Sequence, residues 1–267
     1  MRKIAFIGVG NMANAIIGGL LRSGAVDCPH LILSDKFPEK CVPYTEGGAI
    51  LAASPAEAAA TADCVVLAVK PQNFPEVLDE LSRVEGIENK LIVTIAAGIT
   101  VETVKTALRG AATVRVLPNT PMLIGMGVSV ICRAPDVDPA DFAFVSAMFE
   151  ASGSVTVIDE AEMNRIISVT SSSPAYVFAF IHAICEGAKA QGLDGDALLP
   201  AVCDMVIGSA TLLRDGGLSP NQQISRVTSK GGTTERAMAV LSERGMADMV
   251  KDAMQACTNR ADELANN

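Results

Sequence analysis

The sequence predicts an α/β fold, a doubly wound and mostly parallel sheet followed by an all-α C-terminal domain. Three observations carry that expectation. A short apolar run, Ile4 to Ile7, breaks at Gly8 and Gly10 and gives way to a helical pattern from Met12 to Leu21. Short apolar runs then alternate with helical stretches as far as Ile158. Beyond Asp159 the strand-like runs vanish and long helical patterns take over. Unbroken apolar runs mark strands buried on both faces, and their alternation with helices builds a parallel sheet. The expected domains are therefore residues 1–158 and 159–267.

The first turn carries chemistry. Gly8-x-Gly10-x-x-Ala13, directly after a strand and opening a helix, is the dinucleotide fingerprint of a Rossmann-type sheet in its Ala-ending form. Gly8 permits the tight turn, Gly10 lets a pyrophosphate approach the backbone, and Ala13 lets the helix lie close to the strand. The open N–H groups of the helix start, Asn11 and Met12 among them, then face the phosphates with the positive end of the helix dipole.

The next run, Leu31 to Asp35, is the second strand, whose end selects the adenosine ribose. Asp35 suits two free ribose hydroxyls and hence NADH, whereas Ser34 and Lys36 suit a 2′-phosphate and hence NADPH; the residues alone leave that choice open. Cys64 to Val69, ending in Lys70-Pro71, and Leu91 to Ile95, ending in Ala96-Ala97-Gly98, are further strands whose carboxyl ends should face the ligand crevice. Helical character is expected over Ser54–Ala62, Pro75–Leu81 and Val101–Leu108. Thr113–Leu117 and Val128–Cys132 continue the sheet through Pro118-Asn119-Thr120-Pro121. Asp138-Pro139 opens one more helix, as cap and first-turn proline, and Val155–Ile158 is the last strand.

In the C-terminal part, helices are expected over Pro174–Gln191 and Asp196–Arg214, the latter stopped by Gly216-Gly217, and a further helix begins at Ser219-Pro220. Leu198, Val202, Met205, Ser209 and Leu212 recur at three- and four-residue steps, with Ala201, Val206 and Leu213 beside them. That stripe is wider than one small domain needs and points to a partner chain, with a self-contained bundle as the other reading.

Ser229-Lys-Gly-Gly-Thr-Thr-Glu235 is the second informative stretch: two glycines, two threonines, then a helical run with an acid in its first turn. Bare backbone before a helix N-terminus binds a carboxylate, and the Thr234 hydroxyl can donate or accept. An ordinary helix capped by Thr233 or Thr234 would use the same residues.

Composition narrows the partners. The 267 residues are 49% hydrophobic and 19% charged, enough for a large core. A net charge of -9 and a pI near 4.8 speak against nucleic acid or an anionic membrane surface. Seven cysteines, Cys28 to Cys257, without a Cys-x-x-Cys pair, fit reduced thiols filling a core in the cytoplasm, and no metal site is expected. The apolar run after Met1-Arg2-Lys3 is too short and glycine-broken for a signal peptide, and Ala175–Cys185 is shorter than a membrane span and reads as a buried helix.

Together these motifs resemble the pyrroline-5-carboxylate reductases over essentially the whole length. The likeness rests on Gly8-Val-Gly-Asn-Met-Ala13, Ala68-Val-Lys-Pro71, Ala96-Ala-Gly98, Pro118-Asn-Thr-Pro121, Pro174-Ala-Tyr176 and Val227-Thr-Ser-Lys-Gly-Gly-Thr-Thr234. The resemblance implies hydride transfer from NADPH or NADH to the ring C=N of 1-pyrroline-5-carboxylate, giving L-proline. It also implies a helical domain that intertwines in a homodimer, which many members build into larger rings such as a decamer. The backbone at Gly231, Gly232 and Thr233, with Ser229, would hold the substrate carboxylate, and Thr234 would hydrogen-bond the ring nitrogen. The implied cofactor set is Gly8, Gly10, Asn11, Met12, Ala13, Ser34, Lys36, Ser54, Ala68, Val69, Lys70, Pro71, Ala96, Ala97 and Asn119. Thr170-Ser-Ser-Ser173 stands where the family usually has Ser-Gly-Ser-Gly, Lys230 where Pro is common, and Met238 where an aliphatic β-branched residue or leucine is usual.

The chemistry suits this residue set. A protonated imine accepts hydride once the nicotinamide is aligned with its carbon, so no strong base is needed, and His30 and His182 are poorly placed to be one. A two-domain hydroxy-acid dehydrogenase would need a lysine early in the helical domain, yet Asp159 to Tyr176 contains only Arg165 as a cation. A dinucleotide-sensing dimer without catalysis is a third reading, since fold alone does not fix function. Lys70 as a Schiff-base lysine ranks below a structural or phosphate-side role.

Overall fold

The structure, a computed structural model, describes residues 1–133 and 136–265. The N-terminal part is an eight-stranded sheet in the order β3-β2-β1-β4-β5-β6-β7-β8. The strands are β1 (Ile4–Ile7), β2 (Leu31–Ser34), β3 (Ile50–Leu51), β4 (Cys64–Leu67), β5 (Leu91–Thr94), β6 (Thr113–Leu117), β7 (Gly127–Arg133) and β8 (Gly153–Val157). Neighbours are parallel except β6 and β7, which run antiparallel. The helices between them are α1 (Asn11–Ser23), α2 (Val42–Thr45), α3 (Pro55–Thr61), α4 (Phe74–Ser82), α5 (Val101–Ala107) and α6 (Pro139–Glu150).

Alternation along β1 divides the core. Ile4 and Phe6 face Ile16, Ile17 and Leu20 of α1 and Phe149 of α6, whereas Ala5 and Ile7 face Ala58 of α3, Leu81 of α4 and Val104 of α5. Helices thus cover both faces, which is why these strands read as unbroken apolar runs. Truncating a buried Phe or Ile here to Ala would cost about 2–5 kcal/mol. Local signals set the helix ends: Ser54 accepts from Glu57 N–H and Thr100 from Thr103 N–H as side-chain caps, and Asp138 from Ala140 N–H.

After β8 come α7 (Glu160–Ile166), a π-helical stretch (Ile167–Ser171), α8 (Ser173–Ala190), α9 (Leu198–Asp215), α10 (Pro220–Val227), α11 (Thr233–Glu243) and α12 (Met246–Ala265). Ser219 and Gln222 form a reciprocal capping box at the start of α10. Two compact units result: Met1–Pro174 with the C-terminal stretch from Ala256, and Ala175–Gln255. The strand grammar ends near Ile158 as the sequence suggests, but the compact division falls later, because α7 and the end of α12 pack into the first unit. Met163 and Ala261 are buried in its core, and Asn164 Nδ2 donates to Asp262 at 2.9 Å.

Two expectations need correction. The Ala175–Cys185 run belongs to a continuous helical stretch, Glu160–Ala190, which is long and apolar enough to cross a membrane by length and composition, and little of it is buried. It is therefore neither too short for a span nor a buried helix within this chain. The exposed apolar face instead continues through the second unit, where only Cys185 and Val202 are buried. A unit with so small an interior does not stand as a self-contained bundle.

Candidate functional site

In the first unit the carboxyl ends of β1, β2 and β4 surround a cleft of about 650 Å³, the size of a small-ligand or cofactor site. Gly8 is wedged at its floor, with φ at +93°, and a Cβ there would lie 2.8 Å from the Ala68 carbonyl oxygen. Its N–H donates to Ser34 O at 2.7 Å. Only glycine meets both constraints.

Gly10, the N-cap of α1, is different. Its backbone is extended, no side chain caps the helix, and a Cβ would meet no protein atom within 4 Å. The protein's own atoms make no demand for glycine there, and the backbone is open to solvent on that side. The first turn of α1 carries no acid, unlike those of α3, α4, α5 and α6. The amides of the first turn of α1 are therefore left without an acid of their own helix to face. Both features fit a pyrophosphate.

Asp35, offered by the sequence for the ribose, instead ties the loop down. Its carboxylate accepts from Val9 N–H at 2.7 Å and Phe37 N–H at 2.9 Å, and Lys40 Nζ approaches at 3.1 Å. Burial pushes this carboxyl up, but the two amides and Lys40 outweigh it and hold it below its ordinary value. Lys36 and Lys40 both line the cleft, Lys36 paired with Glu76 at 3.0 Å.

Of the residues expected to touch a cofactor, Gly8, Gly10, Ser34, Lys36, Ser54, Ala68, Val69 and Lys70 line this cleft. Asn11 and Met12 lie in the first turn of α1 and Ala13 is buried behind it. Pro71 starts a short 3-10 turn, and Ala96 and Ala97 lie beyond the end of β5. Asn119 is buried and committed at both ends, donating to Thr170 O at 3.0 Å and accepting from Val128 N–H at 2.9 Å. None of these seven lines the cleft.

The second unit holds the Ser229–Thr234 loop. Gly231 has φ at +75° and Gly232 is the N-cap of α11, with no side-chain cap. The cap is therefore neither Thr233 nor Thr234. Nor are both glycine amides bare: Gly231 N–H donates to Glu235 Oε2 at 2.8 Å and Gly232 N–H to Ser229 O at 3.0 Å. The N–H groups of Thr233 and Thr234 have no acceptor inside α11, as helix geometry dictates. Thr234 is half-buried, and Ser229 and Thr233 are exposed.

Sequence reasoning missed Lys40 and the anchoring role of Asp35. Pro38, which opens a short 3-10 turn at Pro38–Cys41, was the available signal that Lys40 folds back toward the strand end. Cys64 and Cys132 are buried, and burial pushes each thiol up to about 12, as expected of inert core fillers.

A phosphate-binding turn at the carboxyl ends of a parallel sheet, in a chain whose helical unit leaves its apolar surface uncovered, points to the class: a dinucleotide-dependent oxidoreductase. Family models agree with each half. Residues 3–98 match "NADP oxidoreductase coenzyme F420-dependent" and residues 160–264 match "Pyrroline-5-carboxylate reductase dimerisation". The pyrroline-5-carboxylate reductase of Escherichia coli (strain K12) is 35% identical over 266 residues, covering 99% of this chain and 98% of that one. That of Vibrio alginolyticus is 36% identical over 270 residues, covering 98% and 97%. A solved pyrroline-5-carboxylate reductase from Coxiella burnetii superposes with a TM-score of 0.88 at 30% identity, covering 99% of this chain and 98% of that one. The Plasmodium falciparum pyrroline carboxylate reductase, solved with NADP bound, has the same fold, with a TM-score of 0.90 at 23% identity, covering 99% and 98%. The chain belongs to the pyrroline-5-carboxylate reductase family.

Proposed function

We propose that this protein reduces 1-pyrroline-5-carboxylate to L-proline with NADPH, the last step of proline biosynthesis. Near-full-length identity to reductases of that name carries the reading, and the cleft supports the cofactor half. Its floor at Gly8 and Gly10 and the start of α1 would receive the pyrophosphate. Lys36 and Lys40 supply positive charge beside Ser34 for a 2′-phosphate, while Asp35 is already occupied by Val9, Phe37 and Lys40. Both lysines are exposed and ion-paired, Lys36 with Glu76 and Lys40 with Asp35, and a 2′-phosphate can draw them away at modest cost. Asp35, by contrast, is held by two backbone amides, and that difference favours NADPH. Ala68–Pro71 with Ala96 and Ala97 would border the nicotinamide. When bound, NADPH supplies the hydride to the imine carbon.

The remaining work is binding and proton placement. Residues 159–267 would hold substrate and form the homodimer, and residues 1–158 the nucleotide. The Ser229–Thr233 backbone takes the carboxylate, and the Thr234 hydroxyl donates to the neutral imine nitrogen and passes it a proton as the carbon takes the hydride, the hydroxyl regaining its own proton from water. Larger rings of dimers, such as a decamer, and a cytoplasmic location belong to the same reading. Thr234→Val should lower kcat on the order of 10²-fold, the usual cost of one aligned donor, with NADPH affinity unchanged. Equal loss of both in a fluorescence titration and a cofactor-oxidation assay would reject Thr234's role. Turnover of a 3-oxo acid but not pyrroline-5-carboxylate would reject the reaction.

A further inference from the structure

We infer that Glu235 is the resident occupant of the substrate's carboxylate cradle, an intramolecular competitor that sets how tightly a carboxylate-bearing ligand is held. The inference rests on the reading of residues 229–234 as the substrate loop. Its observation is direct: a carboxylate already sits on a cradle amide, with Glu235 Oε2 2.8 Å from Gly231 N. A substrate carboxylate that seeks the same N–H must displace that oxygen or share the proton with it, and two anions so close repel.

The hydrogen bond by itself is ordinary helix-start chemistry. Glu57 reaches back over the same four residues to Ala53 N–H at 2.8 Å at the start of α3. There, however, Ser54 also supplies a side-chain cap. At α11 the N-cap is Gly232, which has no side chain to offer. The acid in the first turn therefore serves alone, on an amide the substrate needs. Glu235 is exposed, so its side chain can swing into water at modest cost. Gly231 is itself exposed, so the amide becomes accessible once the Glu235 side chain leaves it. Glu235 thus holds the empty loop in its folded path and yields to a ligand carrying its own carboxylate.

The sign of the effect separates this role from simple capping. If Glu235 competes, its removal tightens carboxylate ligands; if it only caps, its removal loosens them. We would measure inhibition by L-proline, the KM for 1-pyrroline-5-carboxylate and for NADPH, kcat and Tm for wild type, Glu235→Gln and Glu235→Ala. The Gln variant keeps an acceptor without charge and guards against misfolding, which Tm reports. The proline inhibition constant should fall about three- to tenfold, most in Glu235→Ala, the scale of one exposed charge-assisted hydrogen bond. KM for the imine should follow it, with kcat moving less and NADPH KM not following. Pyrrolidine, the same ring without a carboxylate, should inhibit no better in the variants. Unchanged or weaker proline inhibition in both folded variants overturns the inference, as does equal tightening of pyrrolidine. Failure of the wild type to oxidise NADPH with 1-pyrroline-5-carboxylate removes the underlying reading instead, and shows before any variant is made.

Discussion

At the residue scale, Asp35 ties together the loops at the mouth of the cleft. One carboxylate fixes Val9 of the glycine loop, Phe37 after β2, and Lys40. Asp35→Asn keeps one oxygen acceptor of two and no charge, so it should cost about 1–3 kcal/mol of stability and weaken NADPH several-fold. Urea unfolding and a cofactor titration check both. The pH dependence follows from the same contacts. The folded carboxyl titrates below its unfolded value, so its stabilisation is fully present above about pH 4, the ordinary carboxylate range, and is lost as pH falls through the folded value. The wild type should lose Tm more steeply than Asp35→Asn on acidification below about pH 4; parallel curves would mean that the carboxylate is not tied down in solution. None of this was legible in sequence, because the Val9–Asp35 bond joins residues 26 apart and exists only once β1 and β2 pair. The fingerprint was legible, since strand, glycines and helix are consecutive. Glu235's hold on Gly231 was hidden for a subtler reason: an acid in the first turn reads equally as dipole compensation.

Among elements, the long apolar runs declared themselves and the marginal ones did not. β3 is two residues, Ile50 and Leu51, both exposed, with no run to find. The antiparallel direction of β7 depends on how Thr120–Ile124 turns the chain, which no strand pattern encodes. β6 holds the least expected feature, a buried arginine. Arg115 donates to Asn164 Oδ1 at 2.7 Å and pairs with Glu160 at 3.6 Å, while its Nε has no partner. Glu160 also accepts from Val101 N–H at 2.7 Å, so one arginine links β6, α5 and α7. Asn164→Ala would strip a buried cation of an acceptor it cannot replace, at about 2–3 kcal/mol. Asp262→Ala, at the exposed far end of the same chain of bonds, should cost under about 1 kcal/mol. Denaturant midpoints for the two variants decide it; equal losses would show that the network is held from α12 rather than from Arg115.

For the molecule as a whole, the helical unit sets the terms. Between Ala175 and Gln255 only Cys185 and Val202 are buried, while Phe178, Leu199, Met205, Ile207 and Leu212 are exposed. Apolar side chains left in water along two successive helices contribute nothing until another surface covers them. The match of residues 160–264 to a dimerisation family model makes a second copy the expected cover. Folding of this unit should therefore be coupled to association. Sedimentation should give at least twice the chain mass of 27.7 kDa, and Tm should rise with protein concentration. Ile207→Asp combined with Leu212→Asp, two charges on the α9 surface, should yield monomers with reduced helicity by circular dichroism. The same variant should lose activity, yet its first unit should still unfold cooperatively, because that unit carries its own core on both faces of the sheet. A well-folded, fully helical monomer would show that the helices find enough cover within one chain, against the burial that the structure displays.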